Sequence, residues 1–110
     1  MATIFKINPD PTFRVLVGIP VAGRKSMPLD IEFRHKTRDE LKEYSDGFST
    51  KSEIENLMDI VAGWRNCDAK FDQAALELLL QNYSQASNAI IAAYTKAVTG
   101  QDISDARLGN

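Results

Sequence analysis

The sequence has little of the residue types on which enzyme and metal sites are most often built. Its 110 residues contain one cysteine, Cys67, and one histidine, His35. One thiol cannot form an internal disulfide, and a single Cys with a single His is too few for a Cys/His zinc site. Neither a G-x-G-x-x-G run nor a Gly-Lys-Ser/Thr element is present. We therefore expect no metal and no cofactor, and a protein that is not an enzyme.

Strong charge and long apolar runs are also missing. The 13 Lys and Arg residues against 15 Asp and Glu give a net charge of -2, so there is no general attraction to nucleic acid or to an anionic membrane. No segment approaches the roughly 20 apolar residues that span a bilayer, and the first residues lack the apolar core of a signal peptide. We expect neither nucleic acid nor membrane as a partner, and a reducing cytoplasm as the location.

What remains is the composition of an ordinary globular protein, with 44% hydrophobic and 25% charged residues. A chain of this length is the size of one domain. We predict a single α+β domain over residues 1–100, β-rich over 3–36 and helical over 37–98, followed by a flexible tail at 101–110. Its architecture would be an N-terminal antiparallel β-hairpin or small sheet packed against three to four C-terminal helices.

The predicted hairpin follows from the period of the apolar residues. They alternate strictly over residues 13–21, which is typical of a strand with one buried face. Pro20 has no backbone donor and indicates a strand end or a sheet edge. The polar, glycine-containing residues 22–27 predict a hairpin loop, and alternation resumes over 29–36. Residues 3–7 are predicted to add a short third strand.

Capping signals predict where the first two helices begin. Residues 37–40 read Thr-Arg-Asp-Glu, which matches a capping box, and Gly47 is a natural stop for this helix. Residues 50–53 read Thr-Lys-Ser-Glu and predict a second box. The apolar stripe of the second helix then runs as far as Trp64.

A third helix, capped by Asp72, is apolar over more than half its circumference. Residues 73–98 form either one helix or two. The wide apolar face, together with aromatic side chains in the same half of the chain, favours a partner surface and self-association. The alternative is that these side chains form the domain's own core. The candidate partner-binding residues are Trp64, Phe71, Leu76, Leu79, Tyr83 and Tyr94.

Two clusters of residues suggest functions other than binding of a polypeptide. The basic strand–helix junction Arg34–Arg38 is the densest positive cluster, and a nucleic-acid-binding or regulatory module would use it. Acidic residues interleave with it, which favours a mixed solvated surface. An enzyme centred on His35 and Cys67 would require the two side chains to meet in space.

The chain contains, in this order, the segments Phe33–Leu41, Ala62–Trp64, Phe71, Asn82–Ala86 and Ala89–Tyr94. The order of these segments resembles that of phage tail assembly chaperones over roughly residues 12–98. The resemblance implies a non-enzymatic protein of an infected or lysogenic bacterium, located in the host cytoplasm. It also implies two partners: the tape measure protein, which such chaperones keep soluble, and the tail tube protein, which polymerises around it.

Overall fold

The computed structural model describes residues 3–100, in which a three-stranded antiparallel sheet is followed by helices. The α+β class is therefore confirmed, whereas the predicted tail at 101–110 lies outside the described residues. One turn of 3-10 helix, Phe48–Thr50, separates the first two α-helices. The elements are β1 (Thr12–Val21), β2 (Arg24–Arg34), α1 (Arg38–Gly47), α2 (Glu53–Ile60), β3 (Val61–Trp64), α3 (Gln73–Asn82) and α4 (Ala86–Val98).

The hairpin between β1 and β2 is tighter than predicted. Val21 pairs with Arg24, so the turn has two residues and the predicted loop at 22–27 is wrong. Gly23 has a φ of 77°, a left-handed conformation that glycine adopts at no steric cost and that a type II turn requires at its second central position. The register shifts at Pro20, where the missing N–H leaves nothing to donate to the ladder. β1 lies at the sheet edge, in the order β1-β2-β3.

The third strand lies elsewhere than predicted. Residues 3–7 form no strand, and the prediction of one there is wrong. Instead β3 pairs with β2, with Trp64 opposite Ile31, so the second helix ends earlier than its apolar stripe indicated. Val61 is β-branched and Gly63 is a poor helix former, which weakens a helix at this point. Pairing with β3 gives the backbone groups on the second edge of β2 their hydrogen-bond partners. They would lack these partners if residues 61–64 were helical.

Reciprocal capping boxes begin both of the first two helices. The Thr37 hydroxyl accepts from the Glu40 amide at 3.2 Å, and the Glu40 carboxylate accepts from the Thr37 amide at 2.8 Å, as predicted. The second box is formed by Ser52 and Glu55, so the predicted box at 50–53 is wrong. The Thr50 hydroxyl instead donates to the carbonyl of Gly47, the residue before the 3-10 turn.

Local features of the chain determine where α1 ends, where α3 begins and where α3 and α4 separate. α1 ends at Gly47 as predicted, although its φ of -90° is not left-handed. Asp72 caps α3 by accepting from the Ala75 amide at 2.7 Å. The chain then leaves helical geometry at Tyr83, where φ is -130° and ψ is 93°. Residues 73–98 therefore form two helices.

Tyr94 of α4 is the centre of the core. It is only 1% exposed, and its hydroxyl donates to the Arg34 carbonyl at 2.9 Å, which ties α4 to the end of β2. Its ring centroid lies 5.1 Å from that of Phe33 and 6.0 Å from that of Phe13. The other buried apolar residues are Val17, Ile19, Leu29, Ile31, Phe33, Leu57, Ile60, Val61, Leu76, Ala86 and Ile90.

The opposite face of the sheet is polar and open. Arg14 lies 3.1 Å from the Asp30 carboxylate and 3.5 Å from that of Glu32. Leu16 interrupts this surface and is 67% exposed. In the part of the chain that is described, no helix is long and apolar enough to cross a bilayer.

Candidate polypeptide-binding surface

The six residues predicted to bind a partner lie in different environments. Leu76 is 0% exposed and Tyr94 1%, because α3 and α4 turn these side chains into the core. Trp64, Phe71 and Leu79 are half-buried, and Tyr83 is 36% exposed. A partner has access to the last four, whereas Leu76 and Tyr94 hold the fold together.

Trp64 and Phe71 form a pair at the start and end of the loop between β3 and α3. Their ring centroids are 5.0 Å apart and the rings meet edge to face at 84°, a favourable aromatic geometry. The Trp64 indole Nε1 donates to the Ala69 carbonyl at 2.7 Å. The loop is thus closed on itself around one aromatic contact.

Asn66 fixes this loop to the sheet. Its Nδ2 donates to the Pro28 carbonyl at 2.9 Å, and its Oδ1 accepts from the Asp30 amide at 2.8 Å. The Arg65 amide donates to the Asp30 carbonyl at 2.9 Å. The Asn66 side chain therefore continues the hydrogen bonding along β2 after β3 has ended. Nothing in the sequence marks this asparagine, because its partners lie more than 30 residues away.

The outer side of α3 presents Leu78, a residue outside the predicted set. Leu78 is 60% exposed. It follows Leu76 by two positions, which is a rotation of about 200° on an α-helix, so the two side chains must lie on opposite sides. Leu79 lies between them at the margin of the core. A helix that is apolar over more than half its circumference leaves part of its apolar surface outside, and here that part is Leu78.

A shallow cleft of about 340 Å³ lies along α2 beside the start of α3. Ile54 and Met58 are its half-buried apolar residues, and the other lining residues are polar or charged. An apolar floor with a charged rim suits the apolar stripe of an amphipathic helix, and the flexible thioether of Met58 adapts to different side chains. The lining residues are Lys51, Ile54, Glu55, Met58, Asp59 and Gln73.

Two tyrosines of the fold, Tyr44 and Tyr94, are held neutral. The Tyr44 hydroxyl donates to the Asn56 carbonyl at 2.9 Å. Burial, with the nearby charge of Asp59, raises the pKa of Tyr44 to about 12. Burial likewise raises the pKa of Tyr94 above its usual range. Both phenols therefore act as neutral hydrogen-bond donors in the fold.

The basic junction Arg34–Arg38 is partly neutralised. The Lys36 side chain is only 15% exposed, and its Nζ lies 3.3 Å from the Asp59 carboxylate. The same Nζ lies 5.5 Å from the centroid of the Tyr44 ring, within the range of a cation–π contact. Lys36 thus belongs to the packing of α1 and α2, which removes one cation from the cluster that a nucleic-acid-binding module would use.

His35 directly follows β2, and Cys67 follows β3 by three positions. The His35 amide donates to the Pro11 carbonyl at 2.9 Å, and Cys67 lies half-buried in the loop after β3. No hydrogen bond joins either side chain to another group within residues 3–100. Over the same residues, no group of three or more His, Cys, Asp or Glu side chains is placed to hold a metal ion.

Comparison with models of protein families finds a match to the family described as phage tail assembly chaperone, over residues 1–110. Comparison with curated proteins and with solved structures gives no match. The match extends over the whole chain, including the N-terminal sheet, the aromatic loop after β3 and both C-terminal helices. The chain therefore belongs to the family of phage tail assembly chaperones.

Proposed function

We propose that this chaperone is not an enzyme, and that in the cytoplasm of the bacterial host it binds the tape measure protein and assists assembly of the tail tube around it. Its partners would be the tape measure protein and the tail tube protein. Membership of the family supports the general role. The observation that carries the specific proposal is the apolar surface left outside the core on α3 and along α2.

The client surface has a ridge and a cleft. The ridge is Leu78 and Tyr83 on the outer side and end of α3, with Leu79 at its margin. The cleft is the apolar floor of Ile54 and Met58 along α2. Helix-in-groove recognition needs such an apolar surface with polar groups around it.

The loop after β3 supports this surface. Phe71 immediately precedes the Asp72 cap of α3, and Gln73, the first residue of α3, lines the cleft. Trp64 contacts Phe71, so the aromatic pair sets where α3 begins relative to β3. In this proposal Phe71 and Trp64 act mainly by holding the cleft and α3 in place, and by offering their half-buried ring edges to the client.

The test compares two variants that remove exposed apolar side chains. Leu78→Ser with Tyr83→Ser changes the ridge, and Met27→Ser changes a 48% exposed residue of β2 as the matched control. Burial of the exposed part of Leu78 and Tyr83 contributes about 1.5 kcal/mol or more to binding, so the ridge variant should weaken binding of a tape measure fragment at least tenfold by calorimetry.

Stability measurements separate a lost surface from a lost fold. Because the ridge side chains are exposed, both variants should unfold in urea within about 0.5 kcal/mol of the wild type. Unchanged affinity of a folded ridge variant, or equal weakening by Met27→Ser, would place the client elsewhere on the chain.

A further inference from the structure

The N-terminal arm, residues 3–11, exposes three large apolar side chains. Ile4 is 85% exposed, Phe5 89% and Ile7 86%, more than any other large apolar residue in the described part of the chain. Single exposed apolar residues are ordinary, but three within five positions form a patch that in soluble proteins marks an interaction site.

The arm does not fold back onto its own sheet. Pro9 and Pro11 restrict φ and bias the preceding residues toward extended backbone. A tight hairpin onto β1 would need a turn with positive φ, and no residue of the arm has one. The hydrogen bond from the His35 amide to the Pro11 carbonyl, 2.9 Å long, fixes the base of the arm at the end of β2.

β1 presents an edge that suits an extended segment. It is the first strand of the sheet, so every second residue directs its backbone N–H and C=O away from β2. Pro20 blocks only the far end of this edge. On the inner face Phe13 and Val15 are half-buried, and on the outer face Leu16 is 67% exposed.

We propose that two copies of the chain exchange arms, with residues 3–7 of each copy added as an antiparallel strand to the β1 edge of the other. Because side chains alternate along a strand, Phe5 and Ile7 would extend the inner apolar face beside Phe13 and Val15. Ile4 would then lie on the outer face beside Leu16. This interface is separate from the client surface and does not depend on the identity of the client.

The area available is that of a stable dimer. The two arms together carry two phenylalanines, each burying roughly 150 Å², and four isoleucines, each burying roughly 100 Å², or about 700 Å² in all. An equal area on the covered surfaces brings the total to roughly 1,400 Å², within the range of about 1,200–2,000 Å² for specific interfaces. Reciprocal exchange is also a closed two-fold arrangement, so it ends at a dimer.

Sedimentation equilibrium of the full chain tests the exchange. The wild type should be a dimer at tens of micromolar, and Phe5→Ser with Ile7→Ser should weaken dimerisation at least 100-fold. The melting of this variant as a monomer should stay close to that of the wild-type monomer, because both residues are exposed there. Leu78→Ser is the control and should leave the dimer intact. A wild type that stays monomeric, or a dimer that only Leu78→Ser weakens, would overturn the proposal.

A disulfide distinguishes exchange from an arm that covers its own sheet. The full chain carries Ile4→Cys and Leu16→Cys, with Cys67→Ser to remove the native thiol. Mild oxidation should give a covalent dimer on a non-reducing gel. A covalently closed monomer would show that the arm docks on its own β1, and a dimeric sample without any disulfide would show that the arms are not at this edge. Either result contradicts the exchange.

Discussion

Substitution of Tyr94 separates the contribution of its ring from that of its hydroxyl. In Tyr94→Phe the ring keeps its contacts with Phe13, Phe33 and Tyr44, and only the hydrogen bond to the Arg34 carbonyl is lost. In Tyr94→Ala the ring is lost as well, from a site that is 1% exposed. The residue is thus expected to act on the stability of the fold.

The two magnitudes differ enough to be measured. Loss of one intramolecular hydrogen bond costs about 1 kcal/mol, which for a domain of this size lowers the melting temperature by roughly 6 °C. Loss of a large buried aromatic side chain costs about 3–5 kcal/mol. Since small domains are stable by only about 5–15 kcal/mol, Tyr94→Ala should be close to unfolded at physiological temperature.

Urea unfolding followed by circular dichroism gives both values, provided that each transition is two-state. Equal stability of Tyr94→Phe and the wild type would show that the hydroxyl makes no net contribution in the fold. A Tyr94→Ala variant that loses no more stability than Tyr94→Phe would show that the ring makes none. If a folded Tyr94→Ala chain instead lost only the binding of its client, Tyr94 would be a partner contact and its placement in the core would be wrong.

Two further predictions concern the caps and the loop. The Thr37 and Ser52 amides donate to Glu40 and Glu55 and hold the pKa of each carboxyl below its usual 4.5. Because the pKa of each carboxyl is lower in the folded state, the two capping boxes stabilise the fold above pH 4.5. This contribution to stability is lost as pH falls through the folded pKa. The melting temperature of Glu40→Gln with Glu55→Gln should therefore lie below that of the wild type at neutral pH and approach it in acid. An equal difference in melting temperature at every pH would contradict this prediction. Asn66→Ala removes two hydrogen bonds to β2. It should lower the free energy of unfolding in urea by about 1–2 kcal/mol and speed hydrogen exchange at the Asp30 amide. Asn82→Ala, at the exposed end of α3, is the control, and equal stability of the two variants would show that the loop is not held by Asn66.

The two strands of the hairpin and the cap of the first helix were predictable because their signals are local. Strict alternation over residues 13–21 specifies a strand whatever lies around it, and Thr37 with Glu40 completes its box within one turn. β3 was not predictable, because Val61 and Trp64 have a spacing that fits a helix equally well. A distant pairing, Trp64 opposite Ile31, decides the outcome, and no local pattern reports it.

The candidate surface was predictable only in outline. The sequence indicates that α3 has more apolar residues than one face can bury, but not how the helix is rotated against the sheet. That rotation places Leu76 inside and Leu78 outside. The chain's departure from helical geometry at Tyr83 likewise frees α4 to turn Tyr94 toward β2. Sorting core from surface therefore depends on tertiary packing, which single residues do not encode.

The proposed binding of the tape measure protein is tested most directly by producing the two proteins together in bacteria and measuring the soluble fraction of the tape measure protein. We predict that the wild-type chain and Met27→Ser raise that fraction and co-elute with the tape measure protein in size-exclusion chromatography. The folded variant Leu78→Ser with Tyr83→Ser should leave it in the pellet. A tape measure protein that is equally insoluble with and without the wild-type chain would contradict the proposed binding.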